Sequence, residues 1–447
     1  MDLYQPYTAR NHGLALVPEP GDRAGGLAPW SGHPRIAVYT GGGSSHSWLW
    51  LVEIFERLGF WDLVFADEID VARGALDQVQ VLAVSGGDTF GMARALGPRG
   101  AAGLESFLRA GGLYLGSCAG AYLPLNSSKE PLNLFNWVPA KITNLSRHLP
   151  RARQMPQKFC TPYGCSYVFH PVREETVLEP TGLAPFGVGQ SLRAPLYGGP
   201  AMIASGEVEV LATYQGFSER TRFLVDPELA RQTLLGRAAV IRSRLGRGCL
   251  YLFGPHFEHP GYAEANRLVA EAIYHDLART GWPGRQAAAA EAPRPLEPSV
   301  LRDLRRQVSN ARVVALGLED HPARWRIGRK LYEPAKFRVF CEALWQRLRS
   351  RRGALPLAGD PEAVEALTAA WRAIAEGLRA LKRELALEQD TQARAEALFS
   401  AINRATADFM DIYFRNAYRR LTAPAPFRPD PAPGRRLPTG DRQRRQA

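Results

Sequence analysis

The feature that most constrains this chain is a set of short apolar segments that each run into a glycine-rich turn. RIAVYTGGG (35–43), VQVLAVSGGD (79–88) and LYLGSCAG (113–120) share this design. Between them the spacing turns helical. In 45–59, Leu49, Val52, Phe55 and Leu58 recur at about 3.6 residues, and GLESFLRAGG (103–112) reads as a short helix with glycines past its end. LVFADEI (63–69) reads as another strand. Apolar strands alternating with helices point to an α/β fold with a mainly parallel sheet flanked by helices on both faces. In such sheets the loops at the carboxyl ends of the strands form one rim, where ligands bind. The GGG, SGGD and GSCAG turns are therefore expected on a shared rim.

Further along, 125–210 is dense in prolines and aromatics and reads as short strands and long loops. EVEVLATYQ (207–215) and 236–261 read as more strands, and 263–280 as a helix packed back on the sheet. The segment 283–298 is Ala/Pro-rich, as linkers between domains are. Beyond it the pattern is helical. Leu367, Trp371, Ile374, Leu378, Leu381 and Leu385 form one stripe, and Leu398, Ile402, Ala405, Phe409 and Ile412 another, both with bundle or coiled-coil spacing. Their phases do not join across 386–397. Pro334 opens a third helix, with Phe337, Phe340, Cys341, Leu344 and Leu348 on one side. The expected organisation is an irregular segment 1–33, an α/β domain 34–282, the linker 283–298, an all-α basic helical domain 299–421 and a disordered Pro/Arg tail 422–447.

Charge separates the two halves. Residues 1–284 hold 25 Lys and Arg against 25 Asp and Glu, whereas 285–447 hold 31 against 19, so the net charge of +12 sits in the second part. Its arginines and lysines (Arg302, Arg305, Arg306, Arg324, Arg326, Arg329, Lys330, Arg347, Arg349, Arg351, Arg352) read first as solvated helix faces, and second as a patch for nucleic acid or an acidic surface. No nucleic-acid motif accompanies them. The heptad stripes suit a protein partner or an oligomer. Five cysteines, 118, 160, 165, 249 and 341, are odd in number and irregularly spaced, which argues against a disulfide framework. Cys160 and Cys165 lack the partners of a zinc site. With no secretory signal and no apolar run of about 18 residues, the expectation is a cytoplasmic protein with no membrane partner, no metal and no cofactor.

The sharpest chemical signal is Gly116-Ser117-Cys118-Ala119-Gly120 at a strand-to-helix junction. This is the G-x-nucleophile-x-G elbow with cysteine in the nucleophile's place. The helix N-terminus beside the sulfur favours the thiolate. A thiolate needs a base, and His256 in LYLFGPHFEHPGY follows a strand and so belongs to the same rim. Glu258, two residues on, points the same way in extended backbone and would orient the imidazole. His259 has the opposite phase and ranks lower. The N–H groups of Ala119 and of Gly86 or Gly87 are candidates for an oxyanion hole. Gly41, Gly42 and Gly43 line a neighbouring turn that lacks the P-loop pattern.

LYLGSCAGAYL, VLAVSGGD and GPHFE together resemble the signatures of the class I glutamine amidotransferase-like superfamily: cysteine elbow, Gly-Gly turn and His-x-Glu pair, in order. CAGAY and LYGGPAM (196–202) are similar to the branch found at the N-terminus of eukaryotic-type biotin-protein ligases. The resemblance covers about 34–280. It implies a flavodoxin-like sheet, Cys118 as nucleophile, His256 as base, Glu258 as its orienter and Gly87 near the oxyanion. Tyr197, Gly198, Gly199 and Pro200 match the branch's own motif. Two departures stand out. The superfamily's proline before the oxyanion glycines is Ser85 here, and His256 lies 138 positions after Cys118, a long interval. No biotin-ligase catalytic domain is present.

The leading expectation is a cysteine-dependent hydrolase or amidotransferase acting on a small-molecule or peptide amide through a thioester. A peptidase-like or deglycase-like relative is a second reading, disfavoured by the downstream His-x-Glu pair. A non-catalytic scaffold with the helical part as its interaction module is the third.

Overall fold

A computed structural model describes residues 34–143, 171–184, 191–280, 298–349, 357 and 361–422. Cys160, Cys165, Arg351, Arg352, the segment 1–33, most of the linker and the tail lie outside these residues.

The first part alternates strand and helix: β1 Ile36–Tyr39, α1 Trp48–Arg57, β2 Leu63–Ala66, α2 Glu68–Ala72, β3 Val81–Val84, α3 Thr89–Arg109, β4 Leu113–Ser117 and α4 Ala119–Tyr122. There follow β5 Ala140–Ile142, β6 Val172–Pro180, β7 Leu192–Leu196, β8 Met202–Ala204, β9 Glu209–Phe217, β10 Arg222–Phe223, α5 Pro227–Leu234, β11 Ala238–Leu245, β12 Gly248–Phe253 and α6 Ala263–Thr280. The last part contains α7 Pro298–Leu318, β13 Trp325–Ile327, β14 Lys330–Tyr332, α8 Ala335–Leu348, α9 Pro361–Ala386 and α10 Gln392–Thr422.

The main sheet runs β10-β6-β9-β11-β12-β4-β3-β1-β2. Its five strands β2-β1-β3-β4-β12 are parallel. This is the doubly wound order, which reverses direction between β1 and β3 and opens a crevice at the carboxyl ends. From β12 onward the sheet continues antiparallel through β11, β9 and β6. The parallel expectation thus describes the part that carries the elbow, while the β11–β12 hairpin and the Pro-rich stretch extend it in the other sense.

Period-two alternation sorts the central strands onto two apolar faces. Ile36, Val38, Val81, Ala83, Leu113, Leu115, Tyr251 and Phe253 face one way, toward α1 and α6. Ala37, Tyr39, Leu82, Val84, Tyr114, Leu250 and Leu252 face the other, toward α3. The strands are buried throughout because both faces are covered.

The C-terminal helices join the first of these faces. The two stripes expected from the sequence are buried, Trp371, Leu378, Leu381, Ile402 and Phe409 completely. They pack against α7, against each other and, through α10, against β2. The phase break at 386–397 is the turn between α9 and α10, where Glu388 has φ 56°. One apolar cluster runs without interruption from Trp48 in α1 to Phe414 in α10. Polar contacts fasten the same contact. The Asn403 amide accepts from Trp48 Nε1 at 2.8 Å and donates to Thr40 O at 2.7 Å, and buried Arg347 pairs with Glu56 of α1. Arg347 is therefore not part of a solvated face, whereas Arg302, Arg306, Arg324, Arg326 and Arg349 are exposed.

The all-α expectation for this part needs correction, because β13 and β14 form a two-stranded antiparallel hairpin. Strands of three residues around Gly328 (φ 59°) are too short to show a period. Among the described residues no helix is long and apolar enough to cross a membrane.

Candidate active site

Cys118 sits between β4 and α4 with φ 51° and ψ −107°. Positive φ on a side chain with a Cβ is strained, and such strain gathers at nucleophile elbows. Its N–H donates to Phe253 O at 3.0 Å. That bond continues the register of β4 on β12, which pairs Ser117 with Phe253. The parallel pairing therefore delivers the elbow to the mouth of the loop that follows β12.

That loop carries His256 and Glu258. It is a turn and not the extended segment expected, with His259 N–H donating to His256 O at 3.1 Å. The turn is tied down from both sides. His256 N–H donates to Pro195 O at 2.8 Å, and the Asn266 amide of α6 donates to Phe257 O at 2.6 Å and His259 O at 3.0 Å. The two side chains still meet, with His256 Nδ1 2.7 Å from Glu258 Oε1. Both carboxylate oxygens have further donors, Ser85 Oγ to Oε1 at 2.6 Å and Ser117 Oγ to Oε2 at 2.7 Å. The imidazole also lies close enough to Cys118 for each group to shift the titration of the other. Cys118, His256 and Glu258 are 4%, 3% and 1% exposed, so the row is buried, with Cys118 the most exposed of the three.

Burial opposes charge on all three groups, and their mutual contacts overcome it. Burial pushes the Cys118 thiol up, but the charge and hydrogen bond of His256 bring it below its ordinary value, with help from Lys330. Burial pushes His256 down, but Glu258 and Cys118 raise it to about 10. Burial pushes Glu258 up, but His256 and the two serine hydroxyls hold it below the usual carboxylate range. All three shifts run in the direction of a thiolate–imidazolium pair steadied by a carboxylate. His259 stays outside this row. Its ring packs on Trp50 at 4.7 Å, and burial, then His256, lower its pKa to about 4.

The SGGD turn lies alongside. Ser45 N–H donates to Gly86 O at 3.1 Å and Asp88 N–H to Gly43 O at 2.7 Å. These bonds knit the SGGD and GGG turns together and leave the N–H groups of Gly86 and Gly87 without a hydrogen bond among the described residues. Ala119, as the first residue of α4, has its N–H outside the helical ladder. A Cβ on Gly86 would meet His256 Cε1 at 2.7 Å, so the glycine is what lets the imidazole in. Gly41, Gly42 and Gly43 instead border a cavity of about 1070 Å³ between β2, α2 and α10, which none of Cys118, His256 and Glu258 lines.

The YGGP segment has a steric role. A Cβ on Gly199 would overlap the Gly254 carbonyl, directly ahead of the His256 turn. Gly198 takes φ 109°. Tyr197 lies 5.7 Å from the His256 ring, with its hydroxyl donating to Glu174 Oε2 at 3.0 Å. The motif therefore backs the histidine loop.

Sequence reading misses several neighbours. Ser85, which stands out in the sequence only as a departure from a proline, is a donor to Glu258, and Ser117 is the other. Trp50 touches His256 edge-on at 5.2 Å and His46 at 5.5 Å. Its place in the helical stretch 45–59 marks it as nothing more than core. The β13–β14 turn docks beside the SGGD turn, where Arg329 N–H donates to Asp88 Oδ2 at 2.9 Å. Nothing in the local sequence of either segment signals that long-range contact. Among the described residues no group of three or more His, Cys, Asp or Glu is arranged to hold a metal.

No family model matches the chain. No curated protein matches it either. Solved structures give distant likenesses. A provisionally assigned GMP synthase component from Thermoplasma acidophilum is 12% identical over 56% of this chain and 98% of that one, with a TM-score of 0.35. A ThuA-like protein from Bacteroides uniformis is 14% identical over 57% and 95%, also at 0.35. A β-galactosidase from Rahnella sp. R3 is 10% identical over 57% of this chain and only 32% of that one, at 0.32. These are coarse resemblances of fold, and the functional reading rests on the site's own geometry.

Proposed function

We propose that the protein is a cysteine-dependent amide hydrolase or amidotransferase-like enzyme. The observation that carries this reading is the buried row Cys118–His256–Glu258, with both oxygens of the glutamate held by serine hydroxyls. The Cys118 thiolate attacks the amide carbonyl, and the carbonyl oxygen becomes an oxyanion. The N–H of Ala119 and those of the Gly86-Gly87 turn are the donors for that charge. As the tetrahedral intermediate collapses, the imidazolium of His256 gives its proton to the departing amine, leaving a thioester on Cys118. His256, now neutral, takes a proton from water as the water attacks the thioester. Collapse expels the thiolate, and the acid product leaves. Glu258 stays ionised throughout and fixes the ring's tautomer.

A non-catalytic scaffold of the same fold draws support from the burial of Cys118, 4% exposed. Alkylation by iodoacetamide as a function of pH, read by peptide mass, separates the two. Wild-type Cys118 is expected to react with a pKa below the free-thiol value of about 8.5. In His256→Ala the main influence that lowers the thiol is gone, burial prevails over Lys330, and the pKa rises above that value. An inert Cys118, or one that titrates as a free thiol, would favour the scaffold.

A further inference from the structure

The cavity of about 1070 Å³ that the GGG turn borders follows the open edge of the main sheet. β2 is the last strand there, and among the described residues it pairs with β1 alone. Ile36 N–H donates to Asp62 O at 2.9 Å and Thr40 N–H to Ala66 O at 3.0 Å. Alternate residues carry the bonds of a parallel ladder, so Asp62, Val64 and Ala66 face β1, while Leu63 and Phe65 turn their peptide groups outward. Leu63 is buried, but Phe65 lines the cavity. The Phe65 N–H and C=O have no hydrogen-bond partner among the described residues. An open strand edge of this kind is a template for another extended chain. The cavity is a groove as long as the strand, reaching from Arg35 ahead of β1 to the GGG turn beyond it, with α2 on one side and α10 on the other.

The groove is charged. Asp67, Glu68 and Asp70 line it from the α2 side, and Glu396, Asp408 and Asp411 from α10. Arg35, Arg73, Arg404 and Arg415 line it too, but Arg35 pairs with Asp62 at 2.9 Å and Arg415 with Asp411 at 3.6 Å, and carboxylates remain in excess. Burial raises Asp408, and Asp411 and Asp67 press it the same way against Arg404. Burial raises Asp411, and Asp70 adds to it against Arg415 and Arg35. Carboxylates that face one another across a groove favour a cationic occupant.

A cationic segment is tethered beside it. α10 ends at Thr422, and residues 423–447, outside the described residues, hold six arginines against two aspartates. Residues 1–33, at the other end, hold two arginines against three carboxylates and have the wrong sign. α10 descends the edge of the sheet, since Asn403 bonds Thr40 O past the carboxyl end of β1 and Phe414 packs on Trp61 ahead of β2. A chain that turns back after Thr422 therefore climbs parallel to β2. From Thr422 to Glu396 is ~39 Å along the helix, and an extended Pro-rich chain covers ~40 Å between Thr422 and Arg435. Pro429, Pro431 and Pro433 alternate. In extended backbone their missing N–H groups fall on one side, which leaves Asp430 and Ala432 free to bond a strand on the other.

We propose that residues 423–447 fold back along α10 and lie in this groove as an added strand parallel to β2, with Asp430 and Ala432 bonded to the Phe65 peptide groups and the arginines set against the carboxylates of α2 and α10. The upper end of the seat is the GGG turn, whose Gly43 O holds Asp88 N–H at 2.7 Å, so the tail abuts the loop that supports the SGGD turn. The proposal stands independently of the amide-hydrolase reading.

The test is hydrogen exchange of the full-length protein, read at single-amide resolution. In Arg428→Glu/Arg435→Glu/Arg436→Glu the Phe65 amide is expected to exchange about tenfold faster than in wild type, the size of a ~1.4 kcal/mol local stabilisation, with the amides of β4 unchanged. Adding Glu396→Lys/Asp408→Lys, both exposed on α10, swaps the charges on the two sides and should restore the slow exchange. Equal Phe65 rates in wild type and the tail variant overturn the proposal, as does an acceleration that spreads to β4 or a charge swap that fails to restore protection. Protection that is lost on dilution also overturns it and gives the groove to the tail of a second copy.

Discussion

Around Cys118 the backbone leaves no slack, whereas in α9 and α10 the backbone is ordinary helix and the side chains carry the packing. The elbow depends on a positive φ, on Gly86 admitting the imidazole and on Gly199 admitting the Gly254 carbonyl. The helical stripes depend on apolar bulk, with Trp371, Leu378 and Ile402 fully buried. The difference teaches that small changes should act on reactivity in the first region and on stability in the second.

The largest expected effect lies in the helices. Trp371→Ala empties a fully buried site and should lower unfolding free energy by about 3–5 kcal/mol. In denaturant titration the midpoint falls, while Cys118 in the folded fraction keeps its alkylation rate. A changed rate at equal folded fraction would break the contrast. Gly86→Ala is the converse case. The added methyl presses on His256 Cε1, and a displacement of that kind lowers iodoacetamide reactivity by about 10²-fold. A variant that reacts as fast as wild type would show that the glycine is turn chemistry only.

Ser117→Ala falls between the two regions, because it removes one donor from a buried carboxylate. The expected loss is about 1–3 kcal/mol. Its pH dependence follows from the directions of the shifts. Glu258 is depressed in the folded protein, so its contribution is present above the ordinary carboxylate range and is lost as pH falls through the folded value. His256 is raised to about 10, so its contribution is full below an ordinary histidine pKa and is lost as pH rises through about 10. Without the Ser117 hydroxyl, Glu258 is held down less. The acid limb of melting temperature against pH should then move to higher pH and the alkaline limb stay nearly in place. An unmoved acid limb would mean that Ser117 does not support the glutamate.

Legibility in the sequence divides along the same line. The elbow, the SGGD turn, His256 and Glu258 can be read because local backbone rules demand those residue types at those spacings. Extended backbone is the wrong reason for Glu258, since a turn and not a strand brings it to His256. The α/β order and the two stripes are legible from period alone. Arg329 and Trp50 are not, because each reaches the site through a tertiary contact with no local signature. Arg329 is carried there by a hairpin of three-residue strands docked on Asp88. The separation of the chain at 283–298 is visible in composition, but the apolar cluster crosses it, because burial follows space and not sequence.

The positive φ of Cys118 has one further consequence. Holding a residue with a Cβ in that conformation costs of order 1–3 kcal/mol, and glycine would adopt it freely. At this position, then, stability and chemistry ask for different residues. Cys118→Gly would therefore gain stability margin and lose the thiol at the elbow in one change.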